Sequence, residues 1–126
     1  MPLNLALGEI MNFLTGWLTP KKRSTKAELI LKKLDQIESE MKRIGYWDYN
    51  PPDFKVENYL QAPSFELWLQ CIFIPNARAA AHAESFPPKS QVGLMALRQY
   101  DYHSCIEEAF PLKDLLFEFD KLIESP

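Results

Sequence analysis

Ala27, Ile30, Leu34, Ile37, Met41 and Ile44 follow one another at steps of three, four, three, four and three residues. An α-helix has 3.6 residues per turn, so these side chains share one face and form a seam that must be buried against other elements. Leu31 widens the seam. No stretch of the chain alternates apolar and polar residues for long, so the period-two signature of a half-buried strand is missing. The 126 residues are too few for a TIM barrel, which needs roughly 250. A hydrophobic content of 47% supplies a core and argues against global disorder. Four glycines against ten prolines make a glycine-rich phosphate loop an unpromising expectation.

Local signals place the helix ends. Thr25 and Glu28 have capping-box spacing, and Gly45 suits the left-handed residue just past a helix end, so the first helix is expected over Thr25–Ile44. Tyr46, Trp47, Tyr49, the Asn50–Phe54 stretch and Pro63 predict an aromatic loop packed over the core, with no domain boundary. Ser64 is the expected cap of a second helix. Its apolar residues from Phe65 to Ile74 nearly encircle it, which predicts the innermost helix, and Pro75 is expected to kink or interrupt it. Phe86-Pro87-Pro88 ends the segment. A third helix is expected over 90–108, with Leu94, Leu97 and Tyr100 as apolar positions and a break near Tyr102–Ser104. Pro111 suits the first turn of a last helix whose face is Leu112, Leu115, Leu116, Phe119, Leu122 and Ile123. The expected class is all-α: a four-helix bundle over 23–126 and an additional N-terminal amphipathic helix within 1–22.

In that extension Leu3, Leu7, Ile10, Leu14 and Trp17 form an apolar stripe, opposite Asn4, Gly8, Asn12, Thr15 and Thr19. Pro20 breaks the pattern and Lys21-Lys22-Arg23 follows. The order fits a helix lying on an anionic membrane surface through residues 3–18, and it fits a helix docked on its own domain or on a second copy. A secretory signal is not expected, because no basic region precedes the apolar stretch and no small-residue cleavage site follows. No apolar run of about 18 residues predicts a membrane span.

Charge divides along the chain. Residues 1–45 carry eight Lys and Arg against five Asp and Glu, while 46–126 carry six against twelve. Lys21, Lys22, Arg23 and Lys26 are the candidate patch for an anionic partner, whether phosphate, lipid headgroup or acidic protein, and equally match a solvated helix surface.

Catalytic motifs are missing: there is no G-x-S-x-G, Walker loop, H-E-x-x-H or C-x-x-C. Cys71, His82, His103 and Cys105 lack zinc-ligand spacing, and the two thiols read as free and reduced, with Cys71 buried. No metal and no cofactor are expected. Cys105 could act as a nucleophile only beside His82 and an orienting carboxylate, which nothing in the sequence requires. Arg98, Tyr100, Asp101, Tyr102 and His103, with Trp47, make the candidate interaction surface; the cluster suits a pocket lining, base stacking or mutual satisfaction at a helix break. Gln70, in the most apolar helix, needs partners, and backbone groups near Pro75 or in the 46–63 loop are the expected ones. Glu107, Glu108, Asp114 and Glu118 read as a solvated acidic surface.

The run Trp68-Leu69-Gln70, followed by Ile74-Pro75, resembles the YqcC-like family of small bacterial helical proteins. The aromatic, proline-rich Tyr46–Phe54 stretch and the leucine-rich ending through Leu115, Leu116, Phe119, Asp120 and Leu122 resemble the same family. The likeness runs from Thr25 to Glu124; Cys71 stands where family members carry an apolar aromatic. It implies an all-α, cytoplasmic protein without an assigned activity. Genes of that family neighbour a tRNA pseudouridine synthase gene, which implies at most an accessory place in RNA modification. The expected function is therefore that of a non-catalytic interaction or accessory module, with a protein partner or self-association. Direct tRNA contact through Lys21–Lys33 and Tyr100–His103, and attachment to a membrane surface, remain the alternatives.

Overall fold

The computed structural model describes residues 23–55 and 61–126. The N-terminal stripe of Leu3, Leu7, Ile10, Leu14 and Trp17, together with Lys21 and Lys22, lies outside the described residues. The described residues form four helices and no strand, so the class is all-α.

Helix α1 spans Thr25–Arg43 and buries Ala27, Ile30, Leu34, Ile37 and Met41, the seam read from its spacing. Its cap is Ser24, whose Oγ accepts the Ala27 N–H at 3.1 Å, not Thr25. The expected capping box is therefore not formed: the residue three beyond the true cap is buried Ala27, which has no side-chain oxygen to return. At the other end Gly45 has φ of 80°, and the N–H groups of Tyr46 and Gly45 bond the carbonyls of Met41 and Lys42 at 2.7 and 3.2 Å. This is a Schellman closure, available to glycine because it carries no Cβ.

Helix α2 consists of three consecutive segments, Phe65–Trp68, a π-helical turn Leu69–Phe73, and Ile74–Ala83. Ser64 caps it, its Oγ accepting the Leu67 N–H at 3.0 Å. Pro75 lacks an N–H, and its ring would crowd the carbonyl one turn back. The wide turn meets that demand just before the ring, with the Ile74 N–H reaching the Leu69 carbonyl five residues back. The helix therefore continues through the proline.

Helix α3 spans Val92–Tyr100, shorter than the sequence pattern suggests. Asp101 and Cys105 form an isolated antiparallel bridge, and the Ile106 N–H bonds the Tyr100 carbonyl at 2.9 Å, which closes a tight loop where a longer helix was expected. A 3-10 turn over Glu107–Ala109 leads into α4, Phe110–Glu124, with Pro111 in its first turn.

The innermost helix is α4, not α2. It packs against both α1 and α3 and buries Leu112, Leu116, Phe119 and Ile123. In α2, Phe65, Leu69 and Ile74 are buried, whereas Trp68, Cys71, Ile72 and Phe73 are only half-buried. The all-round apolar pattern of α2 thus serves two surfaces, the core on one side and an open groove on the other.

Long-range polar contacts tie the helices together. The Asp120 carboxylate on α4 accepts the Ser90 hydroxyl at 2.5 Å and the Val92 and Gly93 N–H groups at 3.1 and 2.8 Å, capping α3 from another helix. Lys26 Nζ on α1 donates to the Ile123 and Ser125 carbonyls at 2.7 Å each, which closes the carboxyl end of α4. Arg78 on α2 forks to Asp35 at 2.9 Å and Glu38 at 2.7 Å on α1.

Candidate functional site

Gln70 is buried and pairs with the aromatic loop in both directions. Its Oε1 accepts the Asp48 N–H at 2.9 Å, and its Nε2 donates to the Asp48 carbonyl at 2.7 Å. Of the two partner sets expected for this amide, the loop is the one that meets it. The clamp holds Tyr46 and Trp47 against α2 and α3.

From there a file of aromatic rings crosses the molecule. Tyr46 lies 5.9 Å from Tyr100, Tyr100 5.8 Å from Phe65, Phe65 6.1 Å from Trp68, Trp68 5.7 Å from Phe73, and Phe73 5.0 Å from Phe119, centroid to centroid. These spacings are those of tilted, stacked and edge-on ring pairs that add to burial. The file joins two concavities.

At the Tyr46 end is a broad hollow of about 700 Å³ lined by Tyr46, Trp47, Asp48, Tyr49, Glu66, Gln99 and Tyr100. The Tyr100 hydroxyl donates to Glu66 at 2.5 Å. Burial, and then the adjacent Glu66, push that hydroxyl far above the ordinary tyrosine range, so it stays a donor. Burial first, then Glu108 and Glu66, also raise Tyr46. Among the described residues, no Lys or Arg lines the hollow.

At the Phe119 end is an apolar groove of about 260 Å³. Trp68, Ile72, Phe73, Ala77 and Ala80 of α2 form one wall, Phe119 and Ile123 of α4 the other, and Phe86 and Pro87 a third. Asn76, Lys89 and Ser90 complete it.

The structure regroups the residues singled out from sequence. Tyr100 is 1% exposed and belongs to the core, which removes it from the candidate interaction surface; the 3.6-residue period of α3 turns it inward with Val92 and Ala96. Arg98, Asp101, Tyr102 and His103 are exposed, and the Tyr102 and His103 rings meet edge-on at 4.5 Å. Trp47 is half-buried with the Lys42 ammonium 5.1 Å from its ring centre. Lys26 is likewise not part of an open cationic patch, because the α4 carbonyls and the Phe86 ring hold it; Arg23 is exposed. Lys33 pairs with Glu118 at 2.6 Å. Trp68, Leu69, Gln70, Ile74 and Pro75 form the segment around the π-helical turn and work structurally: Leu69 and Ile74 in the core, Gln70 on the loop, Trp68 in the groove wall.

Cys71 is half-buried, less enclosed than expected, and burial and then Asp48 raise its thiol above the usual range; Cys105 is exposed. Among the described residues no three His, Cys, Asp or Glu side chains converge as a metal site would need. Among them, no helix is long and apolar enough to cross a membrane. Sequence reading missed Asp120 as a working residue. Its partners lie 27 to 30 residues away, and only the leucine-rich ending pointed at it. Asp120 is the one aspartate among the described residues that is buried.

A family model described as "DUF446: tRNA pseudouridine synthase C" matches residues 29–122. Comparisons with curated proteins and with solved structures give no match.

Proposed function

The chain belongs to the DUF446 family, and from that premise we propose that it is a non-catalytic accessory protein of tRNA pseudouridylation that acts through protein contacts in the cytoplasm. The observation that carries this reading is the state of the buried carboxylate. Asp120 is held by a hydroxyl and two backbone N–H groups as the cap of α3, which leaves it no role toward a substrate. Asp35, Asp48, Asp53, Asp101 and Asp114 are exposed. A nucleophilic or acid–base group is tuned by enclosure, and all five stand open to solvent, Asp35 with the surface partner Arg78. The resemblance to YqcC-like proteins, on Trp68, Leu69, Gln70, Ile74 and Pro75, belongs to the same reading.

The exposed rings of Tyr49 and Tyr102 supply contact surface of the kind that partners use. Direct tRNA contact has less support, since Lys26 and Lys33 are engaged within the fold and Tyr100 is buried. The test has two parts. The purified chain, incubated with unmodified tRNA, is expected to form no pseudouridine. Pseudouridine mapping of tRNA from cells lacking the chain is expected to show loss at one or more positions. Conversion by the purified chain alone would overturn the reading.

A further inference from the structure

We propose that residues 3–18 of this chain cover the apolar groove in cis, with the Leu7–Ile10–Leu14–Trp17 stripe facing Trp68, Phe73 and Phe86. The proposal is independent of any role in tRNA modification.

The first argument is size. About 260 Å³ lies below the roughly 300–1,000 Å³ of clefts that bury small ligands, and the walls offer almost only hydrocarbon. Such a groove suits inserted side chains. The second argument is where the described chain starts. The Ser24 N–H lies 3.4 Å from Glu84 Oε2 at the end of α2, and Lys26 both sits 5.2 Å from the centre of the Phe86 ring and bonds the Ile123 carbonyl. Phe86 and Ile123 are groove walls, so residue 23 stands at the groove's edge.

The third argument is reach. Thr19 to Lys22 can span roughly 13 Å when extended. Sixteen residues of helix would run roughly 24 Å, enough to follow α2 from Ala80 to Trp68, roughly 18 Å. Charge agrees: Glu9 is the single charged side chain in residues 1–20, and among the described residues Lys89 is the single charged one lining the groove. A membrane-seeking helix would carry basic residues on its polar face, which this segment lacks.

The test uses the full chain with Cys71→Ser and Cys105→Ser as background. Gly16→Cys is combined with Ala80→Cys in the groove, with Asn76→Cys as a second groove position, or with Ser39→Cys on exposed α1. A short bismaleimide is added and products are resolved by mass, after circular-dichroism melts confirm folding. The groove pairs are expected to give a monomer with one internal cross-link at several-fold the yield of the Ser39 pair, and Leu7→Asp with Leu14→Asp is expected to abolish that excess. Equal yields at all positions would overturn the proposal. Cross-linked dimers in place of the monomer would assign the groove to a second copy. Flotation with anionic phosphatidylglycerol vesicles, without the internal cross-link, would assign the segment to a lipid surface. Either result would also overturn it.

Discussion

The carboxylate of Asp120, on the last helix, accepts the backbone N–H of Gly93, in the first turn of the third, at 2.8 Å. The first N–H groups of a helix have no partner within it, and Gln91, at the cap position of α3, makes no side-chain bond to them. A residue from another helix therefore does the work of a local cap. One contact joins the start of α3 to the later turns of α4.

Asp120→Ala should destabilise the fold by about 2–3 kcal/mol, because it orphans two buried N–H groups and the Ser90 hydroxyl. A shift in urea midpoint at unchanged m-value checks this. The pH dependence has a definite sign. Burial outweighs the three hydrogen bonds and raises this carboxyl above its ordinary 3.8. The folded chain thus holds a proton where the unfolded chain has released it, so this contribution to stability is present in acid and fades as pH rises through the raised folded value. The wild-type chain minus Asp120→Asn, measured at stepped pH from 3.5 upward, should show that fall; a flat difference would contradict it.

Gly93→Ala should cost about 2–3 kcal/mol by overpacking. A Cβ there would lie 2.6 Å from the Phe117 ring and 2.8 Å from the Phe117 Cα. Since the second clash is with backbone, adding Phe117→Ala should not restore the thermal midpoint. Full restoration would show that the helices can shift apart.

Gln70→Ala should cost about 1–3 kcal/mol by leaving both Asp48 backbone groups without their partner. Hydrogen exchange should report it locally, with the Asp48 amide losing protection well before the amides of α1. Gln70→Glu keeps the acceptor but loses the donor, and should fall between the wild type and Ala.

Glu84→Gly should stabilise the chain by about 0.5–1 kcal/mol, read as a higher thermal midpoint. Glu84 ends α2 with φ of 52°, the one non-glycine residue among those described with positive φ. Glycine takes that conformation without a Cβ penalty.

What the sequence made legible is what local signals encode. Five of the six seam residues of α1 are buried as their spacing requires, and Gly45 and Ser64 stand at the helix ends where their chemistry suits them. Spacing alone could not say which of two adjacent hydroxyls caps α1, and Ser24 takes the place expected of Thr25. Nor could it say whether an apolar helix is surrounded by core or flanks a groove, because both surfaces are written with the same residues, as Trp68 and Phe73 demonstrate. The Asp120 cap was invisible because its partners come from another helix. Of the candidate interaction surface, Tyr100 fell inward while Tyr102, two residues on, is 72% exposed: the helix ends between them and its periodicity no longer applies.

The most direct measurement compares pseudouridine maps of tRNA from three strains: the parent, a deletion of this chain, and Asp120→Asn expressed to the same level of folded protein. The expected result is loss at one or more positions on deletion, restored by Asp120→Asn, since a capping carboxylate is dispensable for function once the fold is present. An unchanged map on deletion, or a folded Asp120→Asn chain that restores nothing, would contradict the reading of an accessory protein with a purely structural aspartate.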